Sequence, residues 1–158
     1  MFDKWDHRFM EMARLVSGWA SCNRRKVGAV IVKDKRVMTS GYNGAPAGIR
    51  TCVERGECLR QKMGIPSGQR HELCYAVHAE QNAIIQAAKL GINISGATLY
   101  CTHQPCILCA KMIVNSGITR VVYGEGYPDA FAVDMLNEGG VLLEKYEWEK
   151  QDGSKAAE

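Results

Sequence analysis

Two short, sequence-distant segments do most to limit how this chain can fold. His78-Ala79-Glu80 opens one apolar, helix-periodic stretch and Pro105-Cys106-Ile107-Leu108-Cys109 opens another, so each can offer side chains from a helix start. Zinc supplies a physical reason to bring them together, because a catalytic zinc takes three protein ligands and keeps a fourth position for water. His78, Cys106 and Cys109 meet that requirement. The two cysteines stand three positions apart, so one helical turn directs both sulfurs at one ion. A helix N-terminus also favours the thiolates that bind metal. Glu80 need not be a ligand; it can take a proton from the activated water and hand protons on to a substrate and its leaving group.

The remaining sequence supplies the scaffold. Trp5, Phe9, Met12, Ala13, Val16 and Trp19 follow a helical spacing, with Asp3 as its cap. Gly28 to Val32 and Arg36 to Thr39, joined through Lys33-Asp34-Lys35, read as a strand hairpin. From Gly41 to Arg70 six glycines and two prolines lie among charged residues, which predicts loop with at best a short helix near Glu57 to Lys62. A loop that long is either functional or clamped. Beyond it the spacing predicts a helix over His78 to Leu90, a strand over Ala97 to Cys101 and a helix from about Cys106 to Asn115. A strand over Arg120 to Tyr123, a helix over Asp129 to Asn137 and a strand over Val141 to Tyr146 complete the series. A hairpin followed by this alternation predicts an α/β fold: a mixed five-stranded sheet with an N-terminal antiparallel hairpin and helices on both faces.

Composition bounds the function. At 158 residues, 46% hydrophobic and 23% charged, the chain has the makings of one compact domain, expected over residues 1–149 with a polar tail at 150–158. Lys and Arg outnumber Asp and Glu by only 20 to 17, enough for a local phosphate site but not for a nucleic-acid-binding field, so no stable nucleic-acid partner is expected. The apolar runs Val27 to Val32 and Ala83 to Ala88 fall far short of the roughly 18 to 20 residues of a membrane span. The opening residues lack the basic start and apolar stretch of a secretory signal, and a cytoplasmic location is expected. In that reducing setting seven cysteines point to metal or chemistry more than to disulfides.

The His-x-Glu and Pro-Cys-x-x-Cys pair matches the signature of zinc nucleobase deaminases. Together with Val27-Gly28-Ala29-Val30-Ile31, Gly41-Tyr42-Asn43-Gly44-Ala45-Pro46-Ala47-Gly48, His78 to Ile84 and Thr102 to Cys109, it resembles the deoxycytidylate branch of the cytidine and deoxycytidylate deaminase superfamily, from about Cys22 to Tyr146. The resemblance implies a three-layer cytidine-deaminase-like fold and hydrolysis of dCMP to dUMP and ammonia, feeding thymidylate synthesis. It implies catalytic zinc on His78, Cys106 and Cys109, and Glu80 as the proton carrier. Asn43 is the candidate for the sugar 3′-hydroxyl, the Ala79 backbone N–H for the pyrimidine O2, and His103 and Tyr127 for the base or phosphate. Arg24, Arg25 and Lys26 form the most compact basic run for the phosphate, while Arg50, Arg55, Arg60 and Arg70 offer unranked charge.

A second, structural zinc is expected on Cys22, Cys52, His71 and Cys74, with Cys58 as the alternative ligand. Cys101, inside a strand, reads as a small buried thiol. The resemblance further implies a homohexamer, activated by dCTP and inhibited by dTTP in the presence of magnesium. Three other zinc deaminations share the core motif: of free cytidine, of tRNA adenosine and of a pyrimidine intermediate in riboflavin synthesis. A zinc protein of nucleic-acid handling without catalysis is the remaining alternative.

Overall fold

The computed structural model describes residues 1–126 and 129–148. Asp3 opens helix α1 (Lys4–Ser17): its carboxylate accepts from the Trp5 and Asp6 N–H groups, and the Asp6 carboxylate accepts in return from the Asp3 N–H. The cap forms as expected, but the buried face differs from the expected one. Phe9, Met10, Ala13 and Val16 enter the core, whereas Met12 and Trp19 are exposed. Asp6, Phe9, Met10 and Ala13 share one side of a 3.6-residue helix; Met12 falls outside that stripe, and Trp19 lies beyond the last turn.

Strand β1 (Gly28–Lys33) turns through Asp34 and Lys35, both at positive φ, into β2 (Arg36–Tyr42). Such a left-handed pair matches the twist of a two-residue hairpin. Within the 41–70 segment two short helices form, α2 (Cys52–Arg55) and α3 (Leu59–Lys62), where at most one was expected. Thr51 and Glu54 cap the first reciprocally, a signal that a glycine-rich setting hides. A single 3-10 turn at His71–Leu73 leads to α4 (Ala79–Leu90), β3 (Thr98–His103) and α5 (Ile107–Asn115). Strand β4 (Arg120–Glu125), α6 (Ala130–Glu138) and β5 (Leu142–Lys145) follow.

The sheet order is β2-β1-β3-β4-β5, antiparallel through β3 and parallel from β3 to β5. Alternation along each strand divides the core in two. Val30, Val32, Tyr100 and Val122 pack beneath α1 with Phe9, Met10 and Ala13. On the other face Ala29, Ile31, Leu99 and Val121 meet Ala83 of α4, Ile113 of α5 and Leu136 of α6. The result is the expected three-layer fold. Two glycines set the layer spacing: a Cβ on Gly28 would lie 2.1 Å from the Ala13 carbonyl of α1, and one on Gly41 2.2 Å from the Ala79 carbonyl of α4. Each lets a helix backbone settle directly on a strand.

Asp6 ties α1 to the sheet edge to edge. Its Oδ1 accepts from the Tyr100 hydroxyl and from Arg120 Nη1, both at 2.7 Å, while Arg120 Nε donates to Glu144 of β5 at 2.6 Å. No described helix is long and apolar enough to cross a membrane. Tyr127 and the 150–158 tail lie outside the described residues.

Candidate active site

The sheet topology delivers two helix starts to the same end of the sheet. His78 is the N-cap of α4 and Cys106 the N-cap of α5, with Cys109 one turn further on. His78 Nδ1 lies 3.3 Å from Cys109 Sγ and 3.5 Å from Cys106 Sγ. The ligand atoms of the three residues all fall within 4.8 Å of one another, and among the described residues no other set of three does so. A histidine nitrogen and two sulfurs form a donor set suited to zinc.

The three groups are electrostatically coupled. Cys106 is held down to about 4, first by its hydrogen bond with Cys109 and then, against burial, by His78. Cys109 moves the opposite way, raised by the same contact with Cys106 and by burial. His78 is raised overall: burial opposes its charge, but Cys106 and Glu80 outweigh that.

Glu80, on the first turn of α4, is only 4% exposed. Cys109 Sγ donates to its Oε2 at 3.3 Å and Cys101 Sγ to its Oε1 at 3.1 Å. Cys101 is the buried strand thiol expected from sequence, but its contact with Glu80 had no sequence signal, because it depends on β3 passing beneath α4. Burial raises the Cys101 thiol and the nearby Glu80 charge adds to that, so it remains a donor.

A cleft runs over this cluster, bordered by His78, Glu80, Asn43, His103, Arg24 and Arg25. Asn43 is buried just past the end of β2 and acts as a backbone clamp: Oδ1 accepts from Val27 N–H at 2.7 Å and Nδ2 donates to the Arg25 carbonyl at 2.8 Å. One N–H and one lone pair of that amide remain for a ligand. Ala79 occupies the first helical position of α4, where an N–H has no intrahelical acceptor. His103 ends β3 with Nδ1 2.8 Å from Thr102 Oγ1, which also accepts from the Gly28 N–H. Burial, with Arg25 nearby, lowers its basicity.

Lys26 is exposed and does not border the cleft, and Tyr127 lies outside the described residues. The second cysteine group is only partly assembled. Burial raises the Cys52 thiol, and the charges of Cys74, Cys22 and Cys58 add to the rise. His71 packs edge-on against His78, ring centroids 4.8 Å apart, and borders the cleft together with Cys22 and Cys74. Arg60, unranked among the loop cations, is buried in that same wall.

Comparison with known proteins gives this geometry its relatives. The family model for the cytidine and deoxycytidylate deaminase zinc-binding region matches residues 3–125. The deoxycytidylate deaminase of Mycobacterium phage D29 is 44% identical over 75% of this chain and 93% of its own length. That of Schizosaccharomyces pombe is 38% identical over 90% of this chain, which spans only 44% of the yeast protein. A crystal structure of the dCMP deaminase from cyanophage S-TIM5, in complex with dCMP and dUMP, superimposes with a TM-score of 0.77 at 34% identity, covering 92% of this chain and 99% of that one. The matched residues carry the whole His78, Glu80, Cys106 and Cys109 constellation and four of the five strands, β1 to β4, and the chain belongs to the cytidine and deoxycytidylate deaminase family.

Proposed function

We propose that this chain is a zinc-dependent deoxycytidylate deaminase, converting dCMP and water to dUMP and ammonia. The observation that carries the reading is the buried Glu80 carboxylate held beside the His78, Cys106 and Cys109 donor set, in a cleft bordered by Arg24 and Arg25. Zinc bound by those three residues supplies a Lewis acid that makes water nucleophilic near neutral pH.

The protein's own part is proton handling and positioning. As a thiolate ligand to zinc, Cys109 would no longer donate to Glu80 Oε2, and that oxygen would be open to a proton from water or substrate. Cys101 continues to hold Oε1. Glu80 takes a proton from the attacking water and places it on pyrimidine N3 as the oxygen bonds to C4. It then carries the second proton to the 4-amino group, and ammonia leaves as the C4 carbonyl forms. The Ala79 N–H is positioned for the pyrimidine O2 and the free capacity of the Asn43 amide for the sugar 3′-hydroxyl. His103 and Tyr127 are assigned to the base or phosphate side, with Arg24 and Arg25 nearer the phosphate than the exposed Lys26.

The proposed catalytic domain spans residues 1–149 of a cytoplasmic enzyme, assembled as a homohexamer and regulated by dCTP and dTTP with magnesium. A second zinc belongs to the cysteine group. Its ligands are assigned to Cys22, Cys52, His71 and Cys74, with Cys58 as the alternative; Cys22, His71 and Cys74 border one cleft, and the charges of Cys74, Cys22 and Cys58 help to raise the Cys52 thiol, which supports the reading. Metal analysis tests this directly: two zinc ions per chain are expected, and one zinc in fully active protein excludes the second site. The substrate reading is tested by ammonia release from dCMP, CMP, deoxycytidine, cytidine and an adenosine-bearing tRNA stem loop. The highest kcat/KM is expected for dCMP, whereas preference for the tRNA substrate overturns the reading.

A further inference from the structure

We propose that Arg60 is the principal anchor for the substrate's phosphate, an assignment that rests on the nucleotide reading above. Arg60 lies on α3 and is only 8% exposed, yet it borders the same cleft as His78, Glu80 and Asn43. Its Nη1 donates to the Gln69 carbonyl at 2.8 Å, which fixes the guanidinium against the 65–69 turn. Its Nε is closed off from water and has no hydrogen-bond partner. Among the described residues no carboxylate lies within ion-pair distance of it. A buried cation with an unspent donor is costly, and in native proteins such groups are normally paired with an opposite charge.

The other loop cations are already committed elsewhere. Arg70 pairs with Glu72, Arg55 sits 4.0 Å over the Tyr75 ring, and the exposed Arg50 donates to the Glu54 carbonyl. Arg24 Nη1 reaches the Ile65 carbonyl at 3.2 Å, so Arg24 and Arg60 grip the same turn from its two ends. A phosphate monoester brings the negative charge and the several acceptor oxygens that a guanidinium fork matches. The cleft thus holds, in one wall, a fixed guanidinium that has no carboxylate partner among the described residues.

The test compares kcat/KM for dCMP and deoxycytidine in wild type, Arg60→Gln and Arg60→Lys, each with zinc content and circular dichroism checked. The dCMP to deoxycytidine ratio is expected to fall about 10- to 100-fold in Arg60→Gln, mainly through KM, and by a smaller factor in Arg60→Lys. A wild-type ratio in either folded, zinc-loaded variant overturns the assignment and leaves the nucleotide reading standing. If the wild type itself shows no preference for dCMP, the nucleotide reading fails and this assignment with it. A second measurement needs no variant: a shielded arginine Nε–H gives a slowly exchanging nitrogen-15 NMR resonance. That resonance is expected to move on adding dCMP and not deoxycytidine; arginine resonances unmoved by dCMP overturn the assignment.

Discussion

Glu80 shows how little sequence is needed to mark a reactive group and how much structure is needed to use it. Its place two residues after His78 makes its role legible from the chain alone; the two thiols that hold its oxygens depend on strands and helices far apart in sequence. Glu80→Gln is expected to retain fold and zinc while losing about 10²- to 10⁴-fold in kcat on dCMP, since an amide does not carry the proton. Near-wild-type turnover at full zinc occupancy would sink the assignment. Asn43 was legible as a cleft residue but not as a clamp, because its partners at Val27 and Arg25 are brought near only by the hairpin. Asn43→Ala leaves a backbone N–H and a carbonyl without their partner, and a loss of about 2 to 4 kcal/mol is expected in urea unfolding. A change below 0.5 kcal/mol would mean that water replaces the clamp at little cost.

The helices and strands were legible wherever periodicity is strong and glycine or a cap ends it, as at Gly91 after α4 and Asp3 before α1. Three matters were hidden. The face that α1 buries is decided by the sheet beneath it, so Met10 displaces Met12; and the 41–70 segment forms two short helices that local caps make possible amid loop composition. The layer spacing was hidden as well, since a glycine in a strand does not announce what lies opposite. Gly28→Ala puts a methyl group into the Ala13 carbonyl and forces α1 outward. The expected cost is about 3 kcal/mol, read as a fall in Tm of roughly 10 °C. An unchanged Tm would show that α1 does not rest on that strand in solution.

Across the whole molecule, the Asp6, Tyr100, Arg120 and Glu144 network joins the N-terminal helix to three strands and gives stability a pH dependence. Burial alone would raise the Asp6 carboxyl, but hydrogen bonds from Arg120 and Tyr100 bring it below its ordinary value. A folded pKa below the unfolded value of about 3.9 adds stability above that value and loses it as pH falls through the folded pKa. Asp6→Asn is therefore expected to cost about 3 kcal/mol at pH 7, with a smaller gap to wild type at pH 3. Urea unfolding at the two pH values checks this; a gap that does not change with pH would remove Asp6 from the account. The central claim joins the donor set, Glu80 and the cleft into one hydrolytic site. Its most direct measurement is dUMP formation from dCMP by protein stripped of metal and then reloaded with zinc. The account predicts negligible product without zinc, recovery with reloading in wild type and little recovery in Glu80→Gln; zinc-loaded wild-type protein that forms no dUMP would contradict it.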